Sequence, residues 1–262
     1  MATTAQRQNV TPWPLARRVV AGLSQPGGPA MARRALEGLG LESGDRVVEL
    51  APGLGATTAL VLDRDPREWT GVEPDPIGAE HLERAVAGPG RDVARAAVDA
   101  TGLVPGSASV VLADALLTTV PDDEAGAILA EARRILRPGG RVALHELAPA
   151  DGALDPEAAD DLDAGGLRPR SVEAWRALAE GAGFVVIGSV AGRLALPAPR
   201  DLMRGAGPRT ALKLTREITR DSGLRSAAHA ARGALERRAL SLRSAVVVAE
   251  VPLILGMRRP RR

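Results

Sequence analysis

The stretch from Val47 to Thr58, VVELAPGLGATT, joins a β-branched run to a short loop that contains two glycines. Glycines directly after a strand let the backbone approach a ligand that a Cβ atom would keep away. A dinucleotide site of the Gly-x-Gly-x-x-Gly type has a third glycine, which allows the helix to pack closely on the strand. Here Gly53 and Gly55 are followed by Thr58 at the third position. The loop predicts a ligand site, with a tight structural turn as the alternative, and weakens the case for a nicotinamide or flavin.

A second polar position follows the next predicted strand. In WTGVEPD, Glu73 comes 18 residues after Gly55. A carboxylate at the carboxyl edge of a parallel sheet can accept hydrogen bonds from both hydroxyls of a ribose. Asp99 follows a third strand in the same way. The pattern therefore favours a ligand that contains a ribose, with a solvated loop acid at Glu73 as the alternative.

These residues must be positioned by alternating strands and helices. Short β-branched runs alternate with helical patterns from residue 46 to about residue 190, which is typical of βαβ units around a parallel sheet. We predict strands at residues 46–50, 69–72, 92–98, 109–112, 141–147, 184–190 and 244–251. We predict helices at residues 31–39, 56–64, 76–87, 122–136 and 171–181.

The predicted division of the chain follows from these elements. Residues 1–40 form an N-terminal arm and cap helices, and residues 41–197 form the core that binds the ligand. Residues 198–240 are helical in pattern and rich in arginine, so they are predicted as an insertion. Residues 241–262 contain the last strand and a basic tail, which we expect to be solvated.

Composition excludes several classes of chemistry. The chain has 262 residues and no cysteine, which rules out disulfides, thiolate metal sites, iron–sulfur clusters and a cysteine nucleophile. The formal net charge is only +2, and aromatic residues make up 2% of the chain, so a surface that stacks nucleic acid bases is disfavoured. The apolar run at 245–256 is interrupted by Glu250 and Pro252 and is too short to span a membrane. We expect a cytoplasmic protein that uses no metal.

Taken together, these motifs resemble the class I S-adenosylmethionine-dependent methyltransferases, and among them the small-molecule branch that includes the quinone-biosynthesis C-methyltransferases. The resemblance covers about residues 40–190. It implies a Rossmann-like, doubly wound α/β fold with a mostly parallel seven-stranded sheet, an antiparallel last strand, cap helices and a helical insertion before that strand. It also implies S-adenosylmethionine as the cofactor and a small-molecule methyl acceptor.

The resemblance also implies roles for individual residues. The loop would wrap the methionine part of the cofactor, Glu73 would bind the ribose, Asp99 and the backbone of Ala100 would bind the adenine, and the carbonyl of Ala113 would bind the methionine amino group. The predicted cofactor-binding residues are Glu49, Ala51, Pro52, Gly53, Gly55, Glu73, Pro74, Asp99, Ala100 and Ala113.

The chain departs from the family pattern at several positions. Ala51 stands where glycine is usual, and an alanine with positive φ would be strained by roughly 1–2 kcal/mol. Ser109 and the pair Thr118 and Thr119 replace residues that are common in the family. These changes bear on the substrate class more than on the fold.

In-line methyl transfer depends mainly on alignment and a dry pocket, so a base is optional. His145, at the end of the fifth strand, is the predicted general base, with a buried structural histidine as the alternative. Glu146 should point to the opposite face. We expect His81 and His229 at the surface. The insertion is interpreted as a lid over the site or as a group of helices that packs on the edge of the sheet and buries it.

Two other functions stay open at this point. One is a catalytically silent member of the fold that acts through interactions, which a collapsed cofactor pocket would favour. The other is an NAD(P)-dependent oxidoreductase. The sequence also leaves open whether the chain forms a homodimer.

Overall fold

The computed structural model describes residues 13–253. The basic tail that we expect to be solvated lies outside the described residues, as does the start of the N-terminal arm. The strands are β1 Arg46–Leu50, β2 Glu68–Val72, β3 Arg91–Ala94, β4 Ala108–Asp114, β5 Leu136–Pro149, β6 Val185–Arg193 and β7 Leu242–Glu250. The helices are α1 Leu15–Ala21, α2 Gly28–Leu39, α3 Ala56–Leu62, α4 Pro76–Ala85, α5 Asp122–Ile135, α6 Pro156–Ala164, α7 Val172–Gly181, α8 Pro199–Gly205, α9 Gly207–Arg220 and α10 Ser222–Arg237.

The seven strands form one sheet in the order β3-β2-β1-β4-β5-β7-β6. The pairs β1–β2, β1–β4, β2–β3 and β4–β5 are parallel, and β7 pairs antiparallel with both β5 and β6. Helices cover both faces, so the strands are buried on both sides and carry continuous apolar runs. This architecture confirms the predicted fold class, including the antiparallel last strand.

Helix α5 shows how sequence and packing agree. It begins after Pro121 with Asp122, Asp123 and Glu124 in its first turn, where negative charge favours the helix dipole. Ala125, Ile128, Leu129, Ala132 and Ile135 recur at helical spacing and are fully buried against one face of the sheet. The opposite face is covered by α2, α3 and α4.

Some boundaries differ from the prediction. Strand β3 ends at Ala94, not at residue 98, because the chain turns back through a bridge between Ala97 and Ala100. Strand β5 continues to Pro149 because β7 pairs with it over its whole second half. Helices α6 and α1 were not predicted individually. The insertion consists of α8, α9 and α10.

Helices α1, α6 and α8–α10 gather at the carboxyl edge of the sheet. Buried side chains of α10, such as Ala231 and Leu235, pack with Trp13, Leu23 and Leu162. Leu15, Ala16 and Val19 of α1 pack with Leu214 of α9 and Leu224 of α10. The N-terminal segment and the insertion therefore lie together over the edge where the predicted site residues are.

Candidate functional site

The order of the strands defines a crevice between β1 and β4. From β1 the chain builds outward through β2 and β3, whereas from β4 it builds in the opposite direction through β5. Ligands of open α/β sheets bind outside the carboxyl ends of the strands at such a reversal. Ala51 follows β1 and Asp114 ends β4, so these residues border the crevice.

The glycine loop has the close-approach geometry that its sequence predicts. Gly53 and Gly55 adopt positive φ values of 64° and 74°. Ala51 also has a positive φ, of 50°, so it carries the strain expected for alanine at a position where glycine is usual. The amide of Gly55 donates to the carbonyl of Pro52 at 3.0 Å, and Gly55 then caps α3. The loop is a tight turn that directs its backbone toward the crevice.

Glu73 lies next to this loop. Its carboxylate accepts hydrogen bonds from the amide of Gly53 at 2.7 Å and from the amide of Asp75 at 2.9 Å. Burial raises the pKa of Glu73, an effect that the charge of Arg18 opposes. Pro74 follows it and is half-buried. The structure therefore brings Glu73 and the glycine loop together, and both carboxylate oxygens face backbone donors.

Glu49 is buried at the end of β1. Its carboxylate accepts a hydrogen bond from Trp69 Nε1 at 2.6 Å, and burial raises its pKa to about 7. Near neutral pH, Glu49 is therefore present both as the protonated acid and as the carboxylate. Glu49 holds the adjacent strand and borders the crevice at the same time.

The residues predicted around the adenine lie beyond β3. Asp99 is half-buried, and its Oδ1 atom is buried without a hydrogen-bond partner among the described residues. Ala100 is exposed. On β4, Ala113 is buried in the sheet, and the carbonyl that faces the crevice is that of Asp114, one residue later.

The crevice holds a side chain that the sequence analysis did not single out. Arg18 of α1 is only 7% exposed, and it donates from Nη1 to the carbonyl of Ala51 at 2.8 Å and from Nη2 to the carbonyl of Asp114 at 3.0 Å. Leu15 lies beside it, with Cδ1 3.3 Å from where a Cβ on Gly53 would be. The cavity beside Arg18 has a volume of about 10 Å³. Its lining residues are Arg18, Ser24, Glu49, Leu50, Ala51, Pro52, Thr57, Leu112 and Asp114.

A buried polar network lies beneath the segment that joins α1 to α2. His145 Nδ1 is 3.2 Å from a carboxylate oxygen of Asp114, and Thr57 donates a short hydrogen bond to the same carboxylate. His145 Nε2 is 2.5 Å from the carbonyl of Pro26 and 3.0 Å from Ser244 Oγ. Because the Pro26 carbonyl can only accept, we assign a proton to Nε2.

The two partners shift each other's pKa. Burial by itself would lower the pKa of His145, but the carboxylate of Asp114 raises it above the usual value. Burial disfavours the charge of Asp114, but His145, Thr57 and Arg18 hold its pKa below the usual value. His145 and Asp114 therefore form a buried ion pair, and His145 does not border the small cavity.

The other histidines and Glu146 lie elsewhere. Glu146 points to the opposite face, as predicted, where it accepts hydrogen bonds from the amides of Leu116, Leu117 and Thr118. It fixes the turn after β4. His229 is exposed, and His81 is half-buried with Nδ1 3.2 Å from Thr210 Oγ1.

These groups suit S-adenosylmethionine chemically, but the space does not. Two carbonyls accept from a cation, a carboxylate stands at the tip of β2, and a glycine loop lies between them. A pocket for a small-molecule cofactor measures hundreds of cubic ångströms. In this conformation Leu15 and Arg18 fill the end of the crevice between Gly53 and Asp114, so a ligand group could bind at that end only if α1 withdraws.

No group of three or more acidic, histidine or cysteine side chains in residues 13–253 is placed to hold a metal ion. Within the same residues, none of the helices has the length and apolar character needed to cross a membrane.

Comparisons with known proteins agree with this geometry. Residues 47–140 match the family described as a methyltransferase domain. No curated protein sequence matches the chain. Among solved structures, the [4+2]-cyclase SpnF is similar with a TM-score of 0.66 and 16% identity, covering 92% of each chain.

Two further structures have the same fold. The phosphoethanolamine N-methyltransferase 2 of Haemonchus contortus, in complex with S-adenosyl-L-methionine, has a TM-score of 0.62 and 15% identity over 90% of this chain and 56% of its own. The geranyl diphosphate C-methyltransferase of Streptomyces coelicolor A3(2) has a TM-score of 0.58 and 15% identity over 84% of this chain and 76% of its own. The matched domain supports the predicted enzyme class, an S-adenosylmethionine-dependent methyltransferase, and its cofactor.

Proposed function

We propose that the protein transfers a methyl group from S-adenosylmethionine to an O, N or C atom of a small molecule after α1 has withdrawn from the crevice. The observation that carries this proposal is the crevice itself. A glycine loop, the Glu73 carboxylate and two carbonyls that already hold a guanidinium converge at the strand reversal. A small-molecule acceptor is supported by the geranyl diphosphate and phosphoethanolamine enzymes of the same fold. The quinone-biosynthesis branch remains a prediction.

Different residues of this chain would bind different parts of the cofactor. When bound, S-adenosylmethionine supplies an electrophilic methyl group. The carbonyls of Ala51 and Asp114 would hold its ammonium group, Glu73 the ribose hydroxyls, and the unpartnered Asp99 Oδ1 the adenine amino group. The roles of Gly53, Gly55, Glu49, Pro52 and Ala100 in shaping the pocket are part of the same proposal.

The role of His145 depends on the same movement. Its Nε2 is held by the carbonyl of Pro26, which belongs to the segment directly after α1. If that segment moves with α1, Nε2 loses its bond to the Pro26 carbonyl, and His145 can accept a proton from a hydroxyl or enol acceptor once Nε2 has released its own proton. With the segment in place it is a structural ion-pair partner of Asp114.

A second candidate function is a catalytically silent member of the fold. The small volume of the cavity favours it, because a crevice filled by the chain's own side chains needs no ligand. The oxidoreductase alternative has no such support, since residues 47–140 match a methyltransferase domain.

Thermal unfolding of the full chain with saturating S-adenosylmethionine tests the proposal. We expect a rise in Tm, because a ligand that binds only the folded state stabilises it. NADH at the same concentration is the control and should leave Tm unchanged. If S-adenosylmethionine produces neither a shift in Tm nor binding heat, the proposed function is wrong, and a catalytically silent member of the fold is favoured.

A further inference from the structure

Arg18 occupies the position in the crevice where a cationic ligand group would bind. Its guanidinium bridges the carbonyls of Ala51 and Asp114, which lie 33 and 96 residues away in the chain. Ala51 follows β1, and Asp114 ends the adjacent parallel strand β4. The acids that face it are Glu73, whose pKa burial raises against the charge of Arg18, and Asp114, whose pKa is lowered mainly by His145 and Thr57 and also by Arg18. A positive group of the chain thus satisfies the acceptors that the ligand of a crevice at a strand reversal would use.

The first turn of α1 is fastened to the acidic end of the site. The amide of Leu15 donates to Asp75 Oδ2 at 3.1 Å. The other carboxylate oxygen of Asp75 accepts from Ile77 and Gly78, so the same side chain caps α4. The side chain of Leu15 covers both Gly53 and Gly78. Asp75 therefore joins α1 to the loop that follows Glu73.

The segment after α1 is fastened on the other side of the crevice. Gln25 Nε2 donates to Thr57 Oγ1 at 3.1 Å, and Pro26 accepts from His145. Thr57 and His145 both contact Asp114. Residues 15–26 thus form a strap, which we call the α1 strap, and its contacts converge on the residue that ends β4.

The strap has little stability of its own. Helix α1 has seven residues, and its N-cap residue, Pro14, makes no side-chain capping bond, so the only side chain at its N-terminus among the described residues is that of the distant Asp75. A helix of this length is not stable in isolation, so its position depends on tertiary contacts. Arg18 Nε is buried without a hydrogen-bond partner among the described residues. The cost of burying this charge is therefore only partly offset by its two hydrogen bonds. The strap is therefore held in place by its packing against α9 and α10, by the bonds of Gln25 and Pro26, and, inside the crevice, by the two bonds from Arg18 and the contacts of Leu15.

We propose that the α1 strap is an autoinhibitory element in which Arg18 acts as an internal competitor for the cation-binding carbonyls of the crevice. The proposal rests on the proposed function, because it concerns access to the same site. A ligand with an ammonium group must displace Arg18, so its apparent affinity is reduced by the small fraction of molecules with an open strap. Removing the guanidinium increases that fraction.

The test compares the Arg18→Ala and Arg17→Ala variants of the full chain. Arg17 is a matched control, because it is the neighbouring residue of the same helix and stacks on Trp13, outside the crevice. Calorimetric titration uses S-adenosylhomocysteine, which carries the ammonium group. Hydrogen exchange without ligand measures the exchange rates of the backbone amides of residues 15–21. We expect the Arg18 variant to bind about tenfold more tightly than the unmodified chain or more, and its α1 amides to exchange at least about tenfold faster, with Arg17→Ala unchanged.

The two measurements separate the proposals. If the Arg18 variant binds no more tightly than the unmodified chain and its α1 amides exchange at the same rate, the strap proposal is overturned. If α1 exchange is faster but no variant binds S-adenosylhomocysteine, the strap is real and the proposed function fails. If Arg18→Ala does not fold, Arg18→Lys keeps the charge with poorer bidentate geometry, and both its affinity and its exchange rate should rise above those of the unmodified chain. Values that do not rise would contradict the strap.

Discussion

His145 and Asp114 face each other at 3.2 Å beneath the segment that joins α1 to α2, where His145 is buried and the Asp114 side chain is 14% exposed. Asp114 also provides one of the two carbonyls that bind Arg18, and His145 holds the carbonyl of Pro26. This ion pair therefore connects the end of β4 to the α1 strap. Its state of ionisation should be visible in the stability of the protein.

The first prediction concerns the dependence of stability on pH. The folded-state pKa of His145 is raised above the reference value of 6.5, so its contribution is complete below pH 6.5 and is lost as the pH rises through the raised pKa. Asp114 has a lowered pKa, so its contribution is lost only as the pH falls through that value in acid. We expect the free energy of unfolding to decrease as the pH rises above about 6.5. Denaturant unfolding at several pH values measures this.

The control for this effect is His145→Gln, which can still donate to the Pro26 carbonyl but does not titrate. We expect the variant to lack the decrease at high pH. An identical decrease in the variant would show that another group titrates and that the ion pair does not contribute.

The second prediction concerns backbone strain at Ala51. Its φ of 50° lies in the left-handed region, which glycine adopts without steric cost. We expect Ala51→Gly to raise the free energy of unfolding by up to about 1 kcal/mol, after subtraction of the greater entropy of glycine in the unfolded chain. Ala113→Gly, in the buried interior of β4, should lower it instead. A loss of stability in Ala51→Gly would mean that the loop is not strained there.

The third prediction concerns the buried acid at the end of β1. Burial raises the pKa of Glu49 from 4.5 to about 7, so the folded protein binds the proton more tightly than the unfolded chain. Stability should therefore fall as the pH rises from 4.5 to about 7, by on the order of 3 kcal/mol if Glu49 is the only group that titrates. Glu49→Gln keeps an oxygen for Trp69 Nε1 and should flatten this slope. A slope that is unchanged in the variant would assign the effect to another acid.

The fourth prediction concerns Glu73. If it binds the ribose, Glu73→Gln should weaken the binding of S-adenosylhomocysteine by about 1.5–3 kcal/mol, which is the usual contribution of hydrogen bonds to a charged group. Glu68→Gln, at the exposed start of β2, the strand that Glu73 follows, is the matched control and should leave the affinity unchanged. Calorimetric titration provides the affinities. Equal affinities of the two variants would remove Glu73 from the binding site and leave it only its bonds to Gly53 and Asp75.

Much of the fold could be predicted from local patterns. Helix α5 has its acids, its apolar spacing and its stop within one short stretch, and its end is predicted to within one residue. The glycine loop and Glu73 are also local signals, and the structure brings them to within hydrogen-bonding distance. The ends of β3 and β5 were predicted less well, because strand length depends on which strand pairs beside it.

The closed crevice could not be predicted, because it results from contacts between distant parts of the chain. Arg18 is one of many arginines in the sequence, and only the fold places it against Ala51 and Asp114. Asp114 and Thr57 lie in apolar stretches that signal a strand and a helix rather than a polar network. The one local hint was Ala51, whose substitution for glycine indicated a modified loop.

The measurement that tests the central claim most directly is calorimetric titration of the full chain and of Arg18→Ala with S-adenosylhomocysteine, with NADH as the control ligand. We predict that S-adenosylhomocysteine binds, more tightly to the variant, and that NADH does not bind. Binding of NADH alone, or the absence of S-adenosylhomocysteine binding even when the guanidinium has been removed, would contradict the assignment of this crevice as the site of an S-adenosylmethionine-dependent methyltransferase.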